Sequence, residues 1–406
     1  MSKKTALPKL RFPEFMDSGA ISLKNGNTVF EPINNKNPNS NLPILAISQE
    51  HGAVPREQID YNVSVSEKSL KNYKVVEVGD FIISLRSFEG GIEYSTWHGI
   101  CSPAYIILRK KGAIVEQYYK HYFKSNKFIQ DLNKDLEGIR DGKMVSYSQF
   151  SAILLPKPVN AEQQKIADCL SSLDDLITAE NEKLEALKTH KKGLMQKLFP
   201  ADGKTVPEWR FSEFRDSGGW EITTLAKVVE YENGKAHEKE ISNNGKYIVV
   251  NSKFISTEGE VKKYSNSANL LAGSGDILMV LSDVPNGRAI AKCFLVDKDE
   301  IYAVNQRICR LTPKNAVGLL LFYAINRNSY FLRFDDGVKQ TNLRKDDILA
   351  CPLILPKDTQ EQQKIANCLS AIDDQITAQT EKIEALKLHK KGLLQGLFPS
   401  AQEVME

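Results

Sequence analysis

The side chains best suited to chemistry in this 406-residue chain are hydrogen-bond donors and acceptors on short polar stretches. Arg86 and Ser87 follow an apolar run, and Arg140 and Lys143 lead toward Tyr147. Farther along, Arg288 stands directly behind a glycine, and Asn305, Gln306 and Arg307 are consecutive. Lys339, Gln340, Asn342 and Arg344 then crowd together just past Gly337. Guanidinium and carboxamide groups offer two hydrogen-bonding atoms in one plane, the geometry that fits the edges of guanine and adenine, while lysine answers phosphate. Such stretches could read nucleic acid, and Lys339 to Arg344 is the densest of them. For any single residue the alternative is an ordinary solvated side chain.

Signatures of catalysis are absent from the sequence. Gly203, Lys204 and Thr205 end like a phosphate loop, but Leu198 stands where its first glycine belongs, so the stretch reads as a turn. Gly273 and Gly275 lack the third glycine of a dinucleotide fingerprint. Neither a glycine-rich S-adenosylmethionine loop nor an Asn-Pro-Pro-aromatic motif occurs. The six histidines have no nucleophile or paired carboxylate at a telling spacing, and His190 and His389 read as surface or helix-end residues. Cys101, Cys169, Cys293, Cys309, Cys351 and Cys368 form no C-x-x-C pair and sit mostly in apolar runs, which suits reduced, buried thiols and no metal site.

Composition sets wider bounds. Hydrophobic residues make up 41% and charged residues 26%, as in a soluble globular protein with room for two domains. Net charge is only +3. By segment, residues 1–155 carry about +4 and 201–355 about +1, so charge for nucleic acid must lie on local faces or come from a more basic partner. The amino terminus has no apolar signal core and no apolar run reaches the ~18 residues of a membrane span. No membrane association and a cytoplasmic location are therefore expected.

The elements that must position these stretches come from an internal repeat. EQQKIADCLSSLDDLITAENEKLEALKTHKKGLMQKLFP, residues 162–200, returns as EQQKIANCLSAIDDQITAQTEKIEALKLHKKGLLQGLFP, residues 361–399, with about three-quarters of its positions identical. A shorter pair, Pro8 to Phe15 and Pro207 to Phe214, shares the pattern P-x-x-R-F-x-E-F at the same offset. Between these pieces the copies hardly agree, beyond Gly79-Asp80 against Gly275-Asp276. The chain divides into residues 1–155, a lead-in and first variable domain; 156–200, a helix; 201–355, lead-in and second variable domain; and 356–406, a second helix with a tail. This suggests one mount used twice to carry two different domains; drift between two structural copies is the alternative.

Asn160 with Gln163 and Thr359 with Gln362 are spaced as capping boxes, and Glu162 and Glu361 put negative charge on each first turn. Ile166, Leu170, Leu173, Ile177, Leu184, Leu187, Leu194 and Leu198 follow alternating four- and three-residue steps, with gaps at Glu180 and Lys191. Ile365, Leu369, Ile372, Ile376, Ile383, Leu386, Leu393 and Leu397 repeat them. Prolines 200 and 399 end the pattern, which predicts helices of about 36 residues and about 54 Å. A stripe this narrow suits a coiled coil better than a core helix. The economical arrangement is an antiparallel pair of the two copies separating the variable domains, with self-association between molecules as the alternative.

Inside the variable domains, β-branched and aromatic runs at Leu42 to Ser48, Asp80 to Ser84, Ala104 to Leu108 and Lys246 to Asn251 read as strands. Glu116 to Leu132 and Ala316 to Phe331 read as helical. Each domain is expected to be mixed α/β, giving an α+β protein overall.

The lead-in pair, the repeated helical block, Gly79 to Ile82 and Ser102 to Tyr105 together resemble the specificity subunits of type I restriction-modification systems over nearly the whole chain. The resemblance implies that each variable domain is a target-recognition domain binding one half of a split, asymmetric site on double-stranded DNA. It implies that the helices act as spacer and docking platform for modification (methyltransferase) and restriction (translocase/nuclease) subunits. S-adenosylmethionine, ATP and Mg would serve those partners, and this chain would hold no cofactor and catalyse nothing itself. Trp220 departs from the pattern, having no counterpart after Gly19 and Ala20, which puts in doubt whether the first domain is complete at its start. A specificity subunit of a related methyltransferase or nuclease system, a self-contained modifying enzyme and a coiled-coil scaffold are the competing readings. The first would share this site, the second needs a cofactor motif, and the third has no need of two divergent domains.

Overall fold

The repeated segments form the helices Asn160–Leu198 and Thr359–Leu397, 39 residues each. They run about 58 Å at 1.5 Å per residue, three residues beyond the sequence expectation. The structure is a computed structural model and describes residues 4–36, 41–49, 51–59, 70–134, 145–237, 240–285, 287–399 and 404–405. Arg140 and Lys143 lie outside these residues. No helix among the described residues is long and apolar enough to cross a membrane.

The chain forms two compact units that do not follow the repeat boundaries: Met1–Lys183 with Thr380–Glu406, and Leu184–Gln379. Each long helix therefore gives its first part to one unit and its last part to the other. In the first unit, Asp174 pairs with Lys390 and Glu180 with Lys382, so the helix segments run antiparallel. In the second, Lys191 pairs with Asp373, the same match displaced by one repeat. All sixteen stripe residues are buried or half-buried, as a seam requires. The ends of the stripe do more than a coiled-coil seam would. Ile166, Leu170 and Leu397 join the aromatic core of the first unit, and Leu198, Ile365 and Leu369 that of the second. These ends are core helices, correcting the reading of a stripe too narrow to be one.

The first unit contains an antiparallel sheet in the order Leu154–Lys157, Ile21–Asn25, Thr5–Ala6, Val404–Met405, which joins the two chain ends. A second sheet runs Phe30–Ile33, Ile106–Lys110, Phe81–Ile83, Glu93–Tyr94. Phe30, Phe81, Tyr118, Tyr119, Tyr122, Phe123 and Phe128 fill the space between sheet and helices, with edge-to-face contacts such as Phe30 on Phe81 at 5.3 Å. The second unit pairs Glu221–Thr224 with Pro352–Leu355 and builds a sheet in the order Val229–Asn233, Ile308–Pro313, Ile277–Val280, Cys293–Leu295. A third sheet, Tyr264–Ser265, Tyr247–Val250, Tyr302–Val304, Leu271–Ala272, contains one parallel pair.

The expected strands are present, and each helix expected inside a variable domain is split. Glu116–Tyr122 and Asn126–Asn133 are divided where Ser125 accepts from the Phe128 amide, and Gly318–Ile325 and Ser329–Leu332 where Asn328 accepts from the Tyr330 amide. The faint Gly-Asp match is the same turn in both domains. Gly79 and Gly275 take φ of 96° and 87°, and Asp80 and Asp276 accept from the amides of Glu77 and Gly273, each at 2.8 Å. Ile21, 2% exposed, leads the Ile21–Asn25 strand at the place where Trp220 precedes Glu221–Thr224 in the second domain.

Candidate nucleic-acid interface

A reading surface needs a rigid mount first. Arg11 in the first lead-in donates from Nε and Nη2 to both oxygens of Glu162, at 2.7 and 2.8 Å, and Arg210 does the same to Glu361 at 2.6 and 2.7 Å. The third guanidinium nitrogen of each closes on a carbonyl, Gly19 or Gly218. The anionic first turn expected of each helix is thus paired with an arginine. The capping glutamines also act differently from expectation. Gln163 Oε1 accepts from the Val115 amide at 3.0 Å while its Nε2 donates to the Pro158 carbonyl, and Gln362 bridges the Val317 amide and Pro356 carbonyl at 2.8 and 2.7 Å. They clasp the variable domain to the helix, and Gln163 Nε2 also reaches back to Asn160 Oδ1 at 3.4 Å. Each lead-in also abuts the far end of the other long helix, through Leu10 N–H to Gly396 O and Trp209 N–H to Lys197 O, both 2.9 Å.

Each unit also packs one domain helix against the long-helix pair beside the first aspartate of the repeated Asp-Asp. His121 lies with Nε2 3.0 Å from Ser171 Oγ and Nδ1 3.8 Å from Asp174, where burial pulls its pKa down to about 4 against the upward pull of Asp174. In the second unit Tyr323 donates to Asp373 at 2.7 Å, and Lys191 lies over its ring.

Within the second unit the structure brings the sequence candidates together. Ser282–Asp283 pairs antiparallel with Thr341–Asn342. The Leu281 amide reaches the Arg307 carbonyl and the Leu343 amide reaches the Leu281 carbonyl, at 2.9 and 2.8 Å, so three segments lie side by side. Arg288, Gln306, Arg307, Lys339, Gln340, Asn342 and Arg344 are exposed along them, and Asn305 is half-buried at the turn. Gln340 donates from Nε2 to Ser282 Oγ at 2.6 Å, which fixes its amide plane.

Carboxylates that would repel phosphate are turned to backbone amides here. Asp283 accepts from Val284, Ala289 and Ile290 at 2.9, 2.6 and 3.1 Å. Asp335 accepts from the Gly337 amide and Thr341 hydroxyl, and Asp336 from the amides of Val338 and Lys339. The bond from the Lys339 amide, followed by that from Val338, holds the Asp336 carboxyl below its ordinary pKa. No pattern in the sequence separates these aspartates from solvated ones.

The first unit presents less of what was expected. Arg86 is exposed, and its turn is braced by Gln49, whose Nε2 donates to the Arg86 carbonyl at 3.0 Å. Ser87 is 1% exposed with its hydroxyl accepting from the Ser84 amide, so it shapes the turn and cannot face DNA. Tyr147 is half-buried and donates to the Phe30 carbonyl at 3.2 Å, which makes it a packing residue as well. Gln49, overlooked in the sequence because it follows an ordinary strand, lies just past Leu45–Ser48 and buttresses Gly90.

Among the described residues no group of three or more metal-ligating side chains comes together. Four of the six cysteines are buried, and burial pushes the Cys101, Cys309 and Cys351 thiols up to about 12.

The family model described as the type I restriction modification DNA specificity domain matches residues 15–189 and 217–388. The chain is 28% identical over 339 residues to the type I restriction enzyme MjaVIII specificity subunit of Methanocaldococcus jannaschii, spanning 79% of this chain and 78% of that one. A putative type I specificity subunit of Mycoplasma pneumoniae, S.MpnORF638P, is 27% identical over 173 residues, covering 41% and 42% of the two chains. Among solved structures, the fold is similar to the type I restriction-modification S subunit from M. genitalium, with a TM-score of 0.59 at 13% identity over 97% of this chain and 99% of that one. A chain from work on complex assembly and conformational transition of the type I R-M system gives a TM-score of 0.56 at 16% identity over 93% and 97%.

Proposed function

The chain belongs to the family of type I restriction-modification specificity subunits, and on that premise we propose that it recognises a bipartite, asymmetric target in double-stranded DNA. Each variable domain takes one half-site. The observation that carries this reading is the contrast between matched mounts and unlike surfaces: the Arg11–Glu162 and Arg210–Glu361 pairs use the same atoms, while the exposed donors of the two domains differ in residue and in spacing. Two copies of one half-site would need no such divergence. Phosphate contacts from lysine and arginine set register, and planar donors such as Arg307, Gln340, Asn342 and Arg344 address base edges.

The helices dock modification and restriction subunits, which supply catalysis. Adenine methylation with S-adenosylmethionine, and ATP- and Mg-dependent translocation and cleavage, belong to those partners, in the cytoplasm. This chain supplies the address. The experiment is selection from a random duplex pool by the chain assembled with its modification subunit. An enriched two-part sequence with unlike halves at fixed separation is expected, and enrichment of a single contiguous or palindromic sequence refutes the reading.

A further inference from the structure

An acidic side chain beside a DNA-reading surface ordinarily lowers affinity, because it repels phosphate across a few ångströms. Asp283 is such a residue, strand-paired through Ser282 to Asn342 and beside the segment that carries Arg288. Its surroundings explain its presence. Oδ2 accepts from the amides of Ala289 and Ile290 and Oδ1 from that of Val284, so one carboxylate ties together backbone on both sides of Gly287 and Arg288. Gly287 leaves room for that carboxylate, since a Cβ there would lie 2.1 Å from Asp283 Oδ2 and would have to displace it. Behind the segment, Arg327 donates to the Ile290 carbonyl at 3.1 Å and its own amide reaches the Ala291 carbonyl, which fixes the far side.

We propose that Asp283 is a positioning residue for half-site reading by the second domain: it contacts no DNA, and it holds the Gly287–Ile290 backbone so that Arg288 meets the duplex in register with Arg307 and Gln340. This rests on the proposed function. The charge argument and the positioning argument predict opposite signs, which makes the assignment testable. If Asp283 is merely a solvated acid, removing it takes one negative charge from a phosphate-facing surface and strengthens binding to every duplex. If it positions the loop, its removal weakens discrimination at one half-site even though the surface becomes more positive.

The test uses the full chain assembled with its modification subunit, a random-sequence duplex pool for selection, and an unrelated duplex for non-specific affinity across a salt series. For Asp283→Ala, preference at the second half-site falls about tenfold, the scale of one bidentate base contact, with first-half-site preference unchanged and non-specific affinity equal or higher. Asp283→Asn, which keeps one acceptor oxygen, falls between. Gly287→Ala, which displaces the carboxylate without removing it, reproduces the loss, and the double variant with Asp283→Ala is no worse than either alone. Unchanged or sharpened second-half-site preference in Asp283→Ala overturns the assignment, as does equal loss at both half-sites, which marks a general fold defect. A wild-type complex that selects no two-part sequence overturns the proposed function as well, so the two failures are told apart before any variant is compared.

Discussion

Removing Arg11 strands a carboxylate. Glu162 is 1% exposed, and among the described residues its side-chain hydrogen bonds come from Arg11 Nε and Nη2. Arg11→Met keeps much of the aliphatic stem and removes both bonds. Breaking a buried pair from one side costs about 3–5 kcal/mol, against ~0.2–1 kcal/mol for an exposed pair. The second copy has a built-in comparison: Glu361 is equally buried but also accepts from Trp220 Nε1 at 3.2 Å. A retained bond to a charged group is worth about 1.5–3 kcal/mol, so Arg210→Met should cost less than Arg11→Met by about that amount. Trp220→Phe in the Arg210→Met background should erase the difference. Replacing the whole first pair, as Arg11→Met with Glu162→Leu, should recover most of the stability, because no buried charge is left alone. The measurement is native-state hydrogen exchange at the first turn of each long helix, read beside urea unfolding of the full chain. Losses below ~1 kcal/mol at both sites, or a larger loss at Arg210 than at Arg11, would refute the claim that these pairs are buried anchors.

Three further outcomes are expected. The purified chain transfers no methyl group from S-adenosylmethionine, hydrolyses no ATP and cuts no DNA until partner subunits are added, and robust activity of the chain alone in any of these assays would contradict the proposed function. Inserting one heptad into both long helices keeps the apolar register and adds roughly 10 Å to each, so a selected two-part target should show a wider gap, and an unchanged gap denies the helices a spacing role. His121 has its pKa lowered from the usual value near 6.5 to about 4, mainly by burial, with Asp174 pulling it up and Lys390 and Lys120 pushing it down. A base whose folded pKa is depressed is stabilising in its neutral form, so first-unit stability should fall as pH drops from about 6.5 toward about 4, and His121→Tyr, which copies Tyr323, should flatten that slope in pH-corrected exchange.

What the sequence disclosed divides along physical lines. Helix periodicity, near-identical repeats and strand-forming runs are local, so the long helices, their stripe and the main strands were legible. The helical breaks at Ser125 and Asn328 were not, because each cap sits in an otherwise helical apolar pattern. The partners of Glu162 and Glu361 lie 151 residues away, and only their first-turn position was visible, which led to the expectation of simple helix-end charges. Ser87 follows Arg86 and Tyr147 follows Arg140 and Lys143 in the sequence, and only tertiary packing puts both hydroxyls on backbone atoms. Asp283 carries no sequence signal of its own, and the three amides around it are brought there only by the fold. The division into units that cut across both long helices could not be read from a repeat that ends with each helix.

The two domains brace their exposed turns by unrelated means. In the first, Ser84, Ser87 and Gln49 hold the Arg86 turn with neutral hydroxyl and amide groups. In the second, Asp283, Asp335 and Asp336 hold the Arg288 and Lys339–Arg344 segments with ionised acceptors. Charged acceptors make stronger bonds to amide N–H groups but add a repulsive field for phosphate, so they are tolerable only where enough cations surround them. The second domain meets that condition with Arg288, Arg307, Lys339 and Arg344. The mounts are tied more widely, because Arg11–Glu162 joins a lead-in to a helix, Gln163 joins the same helix turn to a domain, and the second copy repeats both links. A change in one leaves another unpaired, whereas a change in a reading turn is settled within that turn. Substitution at a mount residue therefore costs more than substitution in a reading turn, in line with mounts that match between the copies and exposed turns that do not.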